Sequence, residues 1–82
     1  MGGVLLYESA ERRVANVLLM LAKKFGPQIP LTRGEIAELS GLTIETVIRM
    51  TSRLKDKKLL SSNRKKSLTV DALSLPTYLK SL

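Results

Sequence analysis

The sequence of 82 residues predicts a mainly α domain with a small β-hairpin, and three observations carry that expectation. Residues 31–54, LTRGEIAELSGLTIETVIRMTSRL, read as two helices joined by a turn so short that they must cross steeply. Ahead of them, Val14, Val17, Leu18, Leu21 and Phe25 recur at the spacing of one apolar helix face. Behind them, two short runs, Leu59 to Ser62 and Ser67 to Val70, read as strands around Asn63-Arg64-Lys65-Lys66. A hairpin placed directly after a helix-turn-helix is a wing, so the predicted architecture is a winged helix-turn-helix.

Residues 1–8 read as a lead-in or linker remnant and residues 9–82 as a single domain. Ser9 suits the cap of the first helix, and Glu8 and Glu11 suit the positive end of its dipole. Leu19 and Met20 are expected to widen its apolar face. Lys23 and Lys24 fall in its last turn, and Gly26-Pro27 stops it. Gln28 to Leu31 alternates as a brief edge strand, where Pro30 is tolerated. Thr32 and Glu35 then have the spacing of a capping box, and Leu31 and Ile36 that of a hydrophobic staple. Gly41 follows the first helix of the pair where a left-handed cap is needed, and Thr43 caps the second. Lys55-Asp56-Lys57-Lys58 ends that helix. Asp71 can cap a terminal segment, Ala72 to Leu82, in which Leu73, Leu75, Tyr78 and Leu79 are available to close the core and Pro76 interrupts the helix or sits in its first turn.

The second helix of the pair, residues 43–54, sorts its side chains. At about 100° per residue, Val47, Met50, Thr51 and Leu54 share the side that can pack, while Glu45, Ile48, Arg49 and Ser52 face out. An outer face mixing Glu, Arg, Ser and an aliphatic is what a base-reading helix presents to the major groove. An ordinary surface helix with one exposed isoleucine would have the same face.

Composition narrows the chemistry. The three aromatic residues, two Tyr and one Phe, leave the core to aliphatic side chains. With no cysteine and no histidine, disulfides, thiolate sites, ordinary zinc sites and His-based acid–base catalysis are excluded. Asp56 and Asp71 fall in turn or cap positions and not in a carboxylate pair, so the chain is not expected to be an enzyme, and no cofactor is expected. No apolar run approaches the roughly twenty residues of a membrane span, and MGGVLLYES lacks the basic start of a signal peptide. A cytoplasmic location is expected.

The net charge of +7 is unevenly placed. Residues 1–41 contribute +1 and residues 42–82 contribute +6, with eight basic side chains between Arg49 and Lys66 against Asp56 alone. A field of one sign this concentrated attracts polyanions. A membrane-surface helix would need a broad apolar face beside the charges. Here the lysines and arginines surround a helix end and a turn, which favours nucleic acid and argues against a membrane partner. The tip residues Arg64, Lys65 and Lys66, within a wing spanning residues 61–68, are placed to reach a phosphate backbone.

The string LTRGEIAELSGLTIETVIRMTSRL, followed by KKLL and a hairpin and preceded by ERRVANVLLMLAKKFG, resembles the DNA-binding domain of the Crp/Fnr family of transcription regulators. The resemblance covers roughly Glu11 to Val70 and includes the spacing of Ala37, Gly41 and Val47. It implies sequence-specific binding of double-stranded DNA at one half-site of a palindromic operator. A Glu and an Arg four residues apart read base edges in the family, and those positions match Glu45 and Arg49. Ile44 and Ile48 occupy neighbouring base-facing positions. One subgroup carries Arg where this chain has Ile44, and the position of Ile48 is usually small or polar; Ile48 suits either contact with a thymine methyl or an altered specificity. Thr51 stands where an aliphatic is usual. Thr32, Arg33, Thr43, Thr46 and the wing tip match phosphate contacts of the family, and Ser52 and Arg53 join them in the expected set. Family members place a sensor barrel and a dimerisation helix before this domain. The isolated domain is therefore expected to be a monomer, with dimerisation and any contact with RNA polymerase belonging to the full-length regulator. The alternative reading is a winged-helix module that docks protein or RNA through the same surface.

Overall fold

In the computed structural model, which describes residues 9–63 and 67–81, the first helix begins where its cap is. Ser9 Oγ accepts from Arg12 N–H at 3.1 Å, and α1 runs Ala10–Phe25. Gly26 ends it at φ 91°, ψ −179°. A two-residue strand, β1 (Gln28–Ile29), leads into α2 (Arg33–Ser40). The capping box of α2 forms in both directions: Glu35 N–H donates to Thr32 Oγ1 at 3.1 Å, and Thr32 N–H donates to Glu35 Oε1 at 2.9 Å. A cap of this kind contributes about 1 kcal/mol. Leu31 is half-buried next to the buried Ile36, as a staple requires.

Gly41 closes α2 in the left-handed region, φ 71°, ψ 29°, and Leu42 N–H returns to the Ala37 carbonyl at 3.0 Å. That pair of features turns the chain within three residues into α3 (Ile44–Asp56), which ends two residues later than the sequence suggests. Two strands follow, β2 (Leu60–Ser62) and β3 (Leu68–Val70), and then α4 (Ser74–Ser81). Pro76 sits in the first turn of α4, where its missing N–H costs no helical bond. Asp71 Oδ1 accepts from the N–H groups of Leu73 and Ser74, each at 3.1 Å.

The predicted hairpin is antiparallel, pairing Leu60 with Val70, Ser61 with Thr69 and Ser62 with Leu68. It is part of a larger sheet than the sequence suggests. β1 pairs with the other edge of β3, Gln28 opposite Thr69 and Ile29 opposite Leu68, giving the order β1-β3-β2. The fold is a winged helix-turn-helix with a three-stranded sheet. One aliphatic core joins α1 (Val14, Leu18, Leu21), α2 (Ile36, Ala37), α3 (Val47, Met50, Leu54), the sheet (Ile29, Leu60, Leu68, Val70) and α4 (Leu75, Leu79).

Three residues expected in the core lie outside it. Met20 is 53% exposed, Phe25 49% and Leu73 87%. Met20 lies about 120° around α1 from Val14, off the face that α2, α3 and the sheet cover. Phe25 is on the right side of the helix but is its last residue, a full turn beyond Leu21. Leu73 is held in the capping turn of α4, where its N–H faces Asp71 and its side chain faces solvent. The lead-in, residues 1–8, lies outside the described residues.

Candidate nucleic-acid interface

α3 is fixed to the domain by one face only. Val47, Met50, Thr51 and Leu54 are buried, and Thr51 Oγ1 donates to the Ile48 carbonyl at 3.0 Å, satisfying the hydroxyl within its own helix. On the opposite side Glu45, Ile48, Arg49 and Ser52 are exposed, as expected from the period. Glu45 and Arg49 are one helical turn apart, so a carboxylate and a guanidinium stand side by side, roughly 6 Å along the axis. Such a pair offers an acceptor and a planar double donor to whatever lies against the helix.

The N-terminus of α3 is organised by Thr43, whose Oγ1 accepts from Thr46 N–H at 3.2 Å and bonds the Thr46 hydroxyl at 2.9 Å. Ile44, in the first turn, is 52% exposed and leans on α2. A Cβ at Gly34 would stand 3.6 Å from Ile44 Cδ1, an ordinary van der Waals contact. Ile48, one turn on, is 51% exposed. The N-termini of α2 and α3 thus lie close together: Thr32, Glu35, Thr43 and Ile44 line one hollow between them. Arg33, in the first turn of α2, is partly buried.

Beyond α3 the stem of the hairpin is closed by Asn63. Its N–H donates to the Ser67 carbonyl at 3.2 Å and its Oδ1 accepts from Ser67 N–H at 3.0 Å. The expected phosphate-reaching residues Arg64, Lys65 and Lys66 lie outside the described residues.

Arg53 is where sequence reasoning is least complete. It stands one turn beyond Arg49 and forms an ion pair with Glu11, Nε lying 3.1 Å from Oε1. The other oxygen of Glu11 receives Lys57 Nζ, also at 3.1 Å. Glu11 has an adequate local explanation as an acid at a helix N-terminus. Its partners lie more than forty positions away, beyond the reach of any helical period.

The chain matches the family described as the Crp-like helix-turn-helix domain over residues 12–75. It belongs to that family. Among curated relatives, the nitrogen fixation regulation protein FixK of Rhizobium meliloti (strain 1021) is 34% identical over 79 residues, covering 92% of this chain and 36% of the relative. The transcriptional activator protein FnrA of Stutzerimonas stutzeri is 29% identical over 76 residues, covering 83% and 31%. Among solved structures, the catabolite activator protein of Thermus thermophilus superposes with a TM-score of 0.77 at 29% identity, over 89% of this chain and 35% of that one. The Crp-like chain thus spans about a third of the length of these relatives. Its fold is the winged helix-turn-helix of DNA-binding transcription regulators of the Crp/Fnr type. Among the described residues, no helix is long and apolar enough to cross a membrane.

Proposed function

We propose that this chain is the DNA-binding part of a Crp/Fnr-type transcription regulator and reads one half-site of a palindromic operator, with α3 in the major groove and the hairpin on the phosphate backbone. The observation that carries the reading is the exposure of Glu45 and Arg49 one turn apart, on a helix whose opposite face is buried. Arg49 is assigned to a guanine, donating in bidentate fashion to O6 and N7, and Glu45 to a cytosine, accepting from N4. Ile44 and Ile48 provide apolar contact for thymine methyls. Thr32, Arg33, Thr43, Thr46, Ser52 and Arg53, with Arg64, Lys65 and Lys66, are assigned to phosphates, which position the helix without reading sequence. Dimerisation and contact with RNA polymerase are assigned to the full-length regulator.

Selection of bound sequences from random duplex DNA tests the function and its specificity together. Arg49→Ala should then cost about 1–3 kcal/mol on the selected sequence and relax preference at one guanine. Equal weakening on selected and random duplexes would make Arg49 a phosphate contact. The two half-exposed isoleucines favour one second reading, a protein-docking face; a selection that enriches no sequence would support it.

A further inference from the structure

Glu45, Arg49 and Arg53 form a single i, i+4 ridge on α3, each member turned about 40° from the last. The ridge starts on the exposed face and winds toward the first turn of α1. There it meets Glu11, whose side chain is only 8% exposed. Both carboxylate oxygens are in use: Oε1 takes Arg53 Nε and Oε2 takes Lys57 Nζ, each at 3.1 Å. The two cations are held differently. Lys57, 42% exposed, has a second partner within the domain, since its Nζ also donates to the Tyr78 hydroxyl and stands 4.6 Å from the centre of the Tyr78 ring. Arg53 meets Glu11 through an ion pair at Nε, and its side chain remains 58% exposed.

We propose that Glu11 is a positioning residue for DNA binding: paired with Lys57, which Tyr78 holds in turn, it restrains Arg53 through the ion pair at Nε and keeps the rest of the guanidinium toward a backbone phosphate. This inference rests on the DNA-binding reading above and assigns to it a residue of α1. Guanidinium geometry makes the arrangement effective. The fork carries five N–H donors in one plane, so an ion pair at Nε restrains where the terminal donors can reach, and an arginine restrained this way loses less freedom when it meets its acceptor. The contact also ties the far end of the recognition ridge to the helix that begins the described domain.

Simple electrostatics predicts the opposite sign for the decisive variant. Glu11→Gln removes a negative charge beside two cations, which by itself strengthens attraction to any polyanion. If Glu11 positions Arg53, the same change weakens binding. The test is a double-mutant cycle on the full chain, titrating a mixed-sequence duplex at several salt concentrations with wild type, Glu11→Gln, Arg53→Ala and the pair. Glu11→Gln should lower affinity by about two-fold or more, the lower end of coupling between residues in direct contact. It should also reduce the slope of log affinity against log salt by up to about 0.9, one phosphate contact. In the Arg53→Ala background Glu11→Gln should change neither. Tighter binding by Glu11→Gln would make the carboxylate a competitor for Arg53 and overturn the proposal; so would equal losses in both backgrounds, which mark a role in folding alone. Should Glu11→Gln fail to give a cooperative melt, Glu11→Asp, which keeps the charge but is one methylene too short to hold both cations, enters the same cycle with the same expected sign. Absence of duplex binding by wild type would instead refute the DNA reading itself, and this inference with it.

Discussion

Gly41 and Gly26 both have positive φ, yet substitution should separate them, because their ψ angles differ. Gly41 sits at φ 71°, ψ 29°, and a Cβ there would meet only Arg13 Nη1 at 3.8 Å, an ordinary contact. The cost of Gly41→Ala is therefore conformational. Placing an L-residue in the left-handed region costs roughly 1–2 kcal/mol, and removing a glycine from the unfolded chain returns about 0.4–1 kcal/mol. The net loss is on the order of 1 kcal/mol, or about 4–8 °C in Tm for a domain of this size. Asn enters the left-handed region more readily, so Gly41→Asn should cost less than Gly41→Ala. Gly26 has φ 91° and ψ −179° with nothing within 4 Å of its would-be Cβ. That region is essentially reserved for glycine, at about 1–3 kcal/mol for anything else, and Asn has no preference for it. Gly26→Asn should recover nothing relative to Gly26→Ala. Urea or thermal melts of the four variants decide the matter. If Asn rescues both sites or neither, backbone conformation is not what selects glycine at these turns.

Other consequences are as direct. Leu54→Ala, at a fully buried position, should cost about 2–5 kcal/mol by chemical denaturation, a large share of the 5–15 kcal/mol typical of a whole domain. Replacing Arg64, Lys65 and Lys66 together by alanine should weaken binding to all duplexes alike and lower the salt slope by about 0.9 for each phosphate no longer neutralised; an unchanged slope removes the wing tip from the interface. Asp71 has its pKa lowered, chiefly by the Ser74 and then the Leu73 backbone N–H. Its contribution to stability should be present above the unfolded carboxylate value and lost as pH falls through the lowered folded value, so melts of wild type and Asp71→Asn should converge in acid. The isolated chain should sediment as a monomer at micromolar concentration and bind one-half-site and two-half-site duplexes without steep cooperativity, since linking two such modules is what raises affinity by about 10² to 10⁴.

The parts of this fold legible in the sequence are those fixed by neighbours in the chain. Ser9, Thr32 with Glu35, Gly41, Thr43 and Asp71 each organise a helix end or turn through bonds spanning at most a few residues, and each does so at the expected position. Asn63 and Ser67, four positions apart, also bond each other at the end of the hairpin stem. The pairing of β1 with β3 was not legible, because alternation marks a strand but does not name its partner, which lies forty residues on. Burial was legible by face but not by depth. The α1 stripe names Val14, Leu18 and Leu21 correctly, yet periodicity cannot tell where the covering elements stop, and Phe25 falls past that limit.

The same distinction runs through the candidate site. A helical period places Glu45 and Arg49, with Ile48 and Ser52, on the face the core leaves open, and the family resemblance singles out the Glu and the Arg among them. Arg53 continues their ridge, but its local environment is set by Glu11, which α1 delivers from the other end of the domain. From sequence, Glu11 was fully explained by the helix dipole, a contribution of about 0.3–1 kcal/mol. In the folded chain its carboxylate is buried, and a buried charge without partners costs far more than that. A partner is therefore required at the place where Glu11 lands, and Arg53 and Lys57 are what α3 and its C-terminal turn bring there. A residue with a sufficient local reason to exist can thus conceal a nonlocal one. Burial of the charged group separates the two, since a carboxylate that served only the dipole would stay in water.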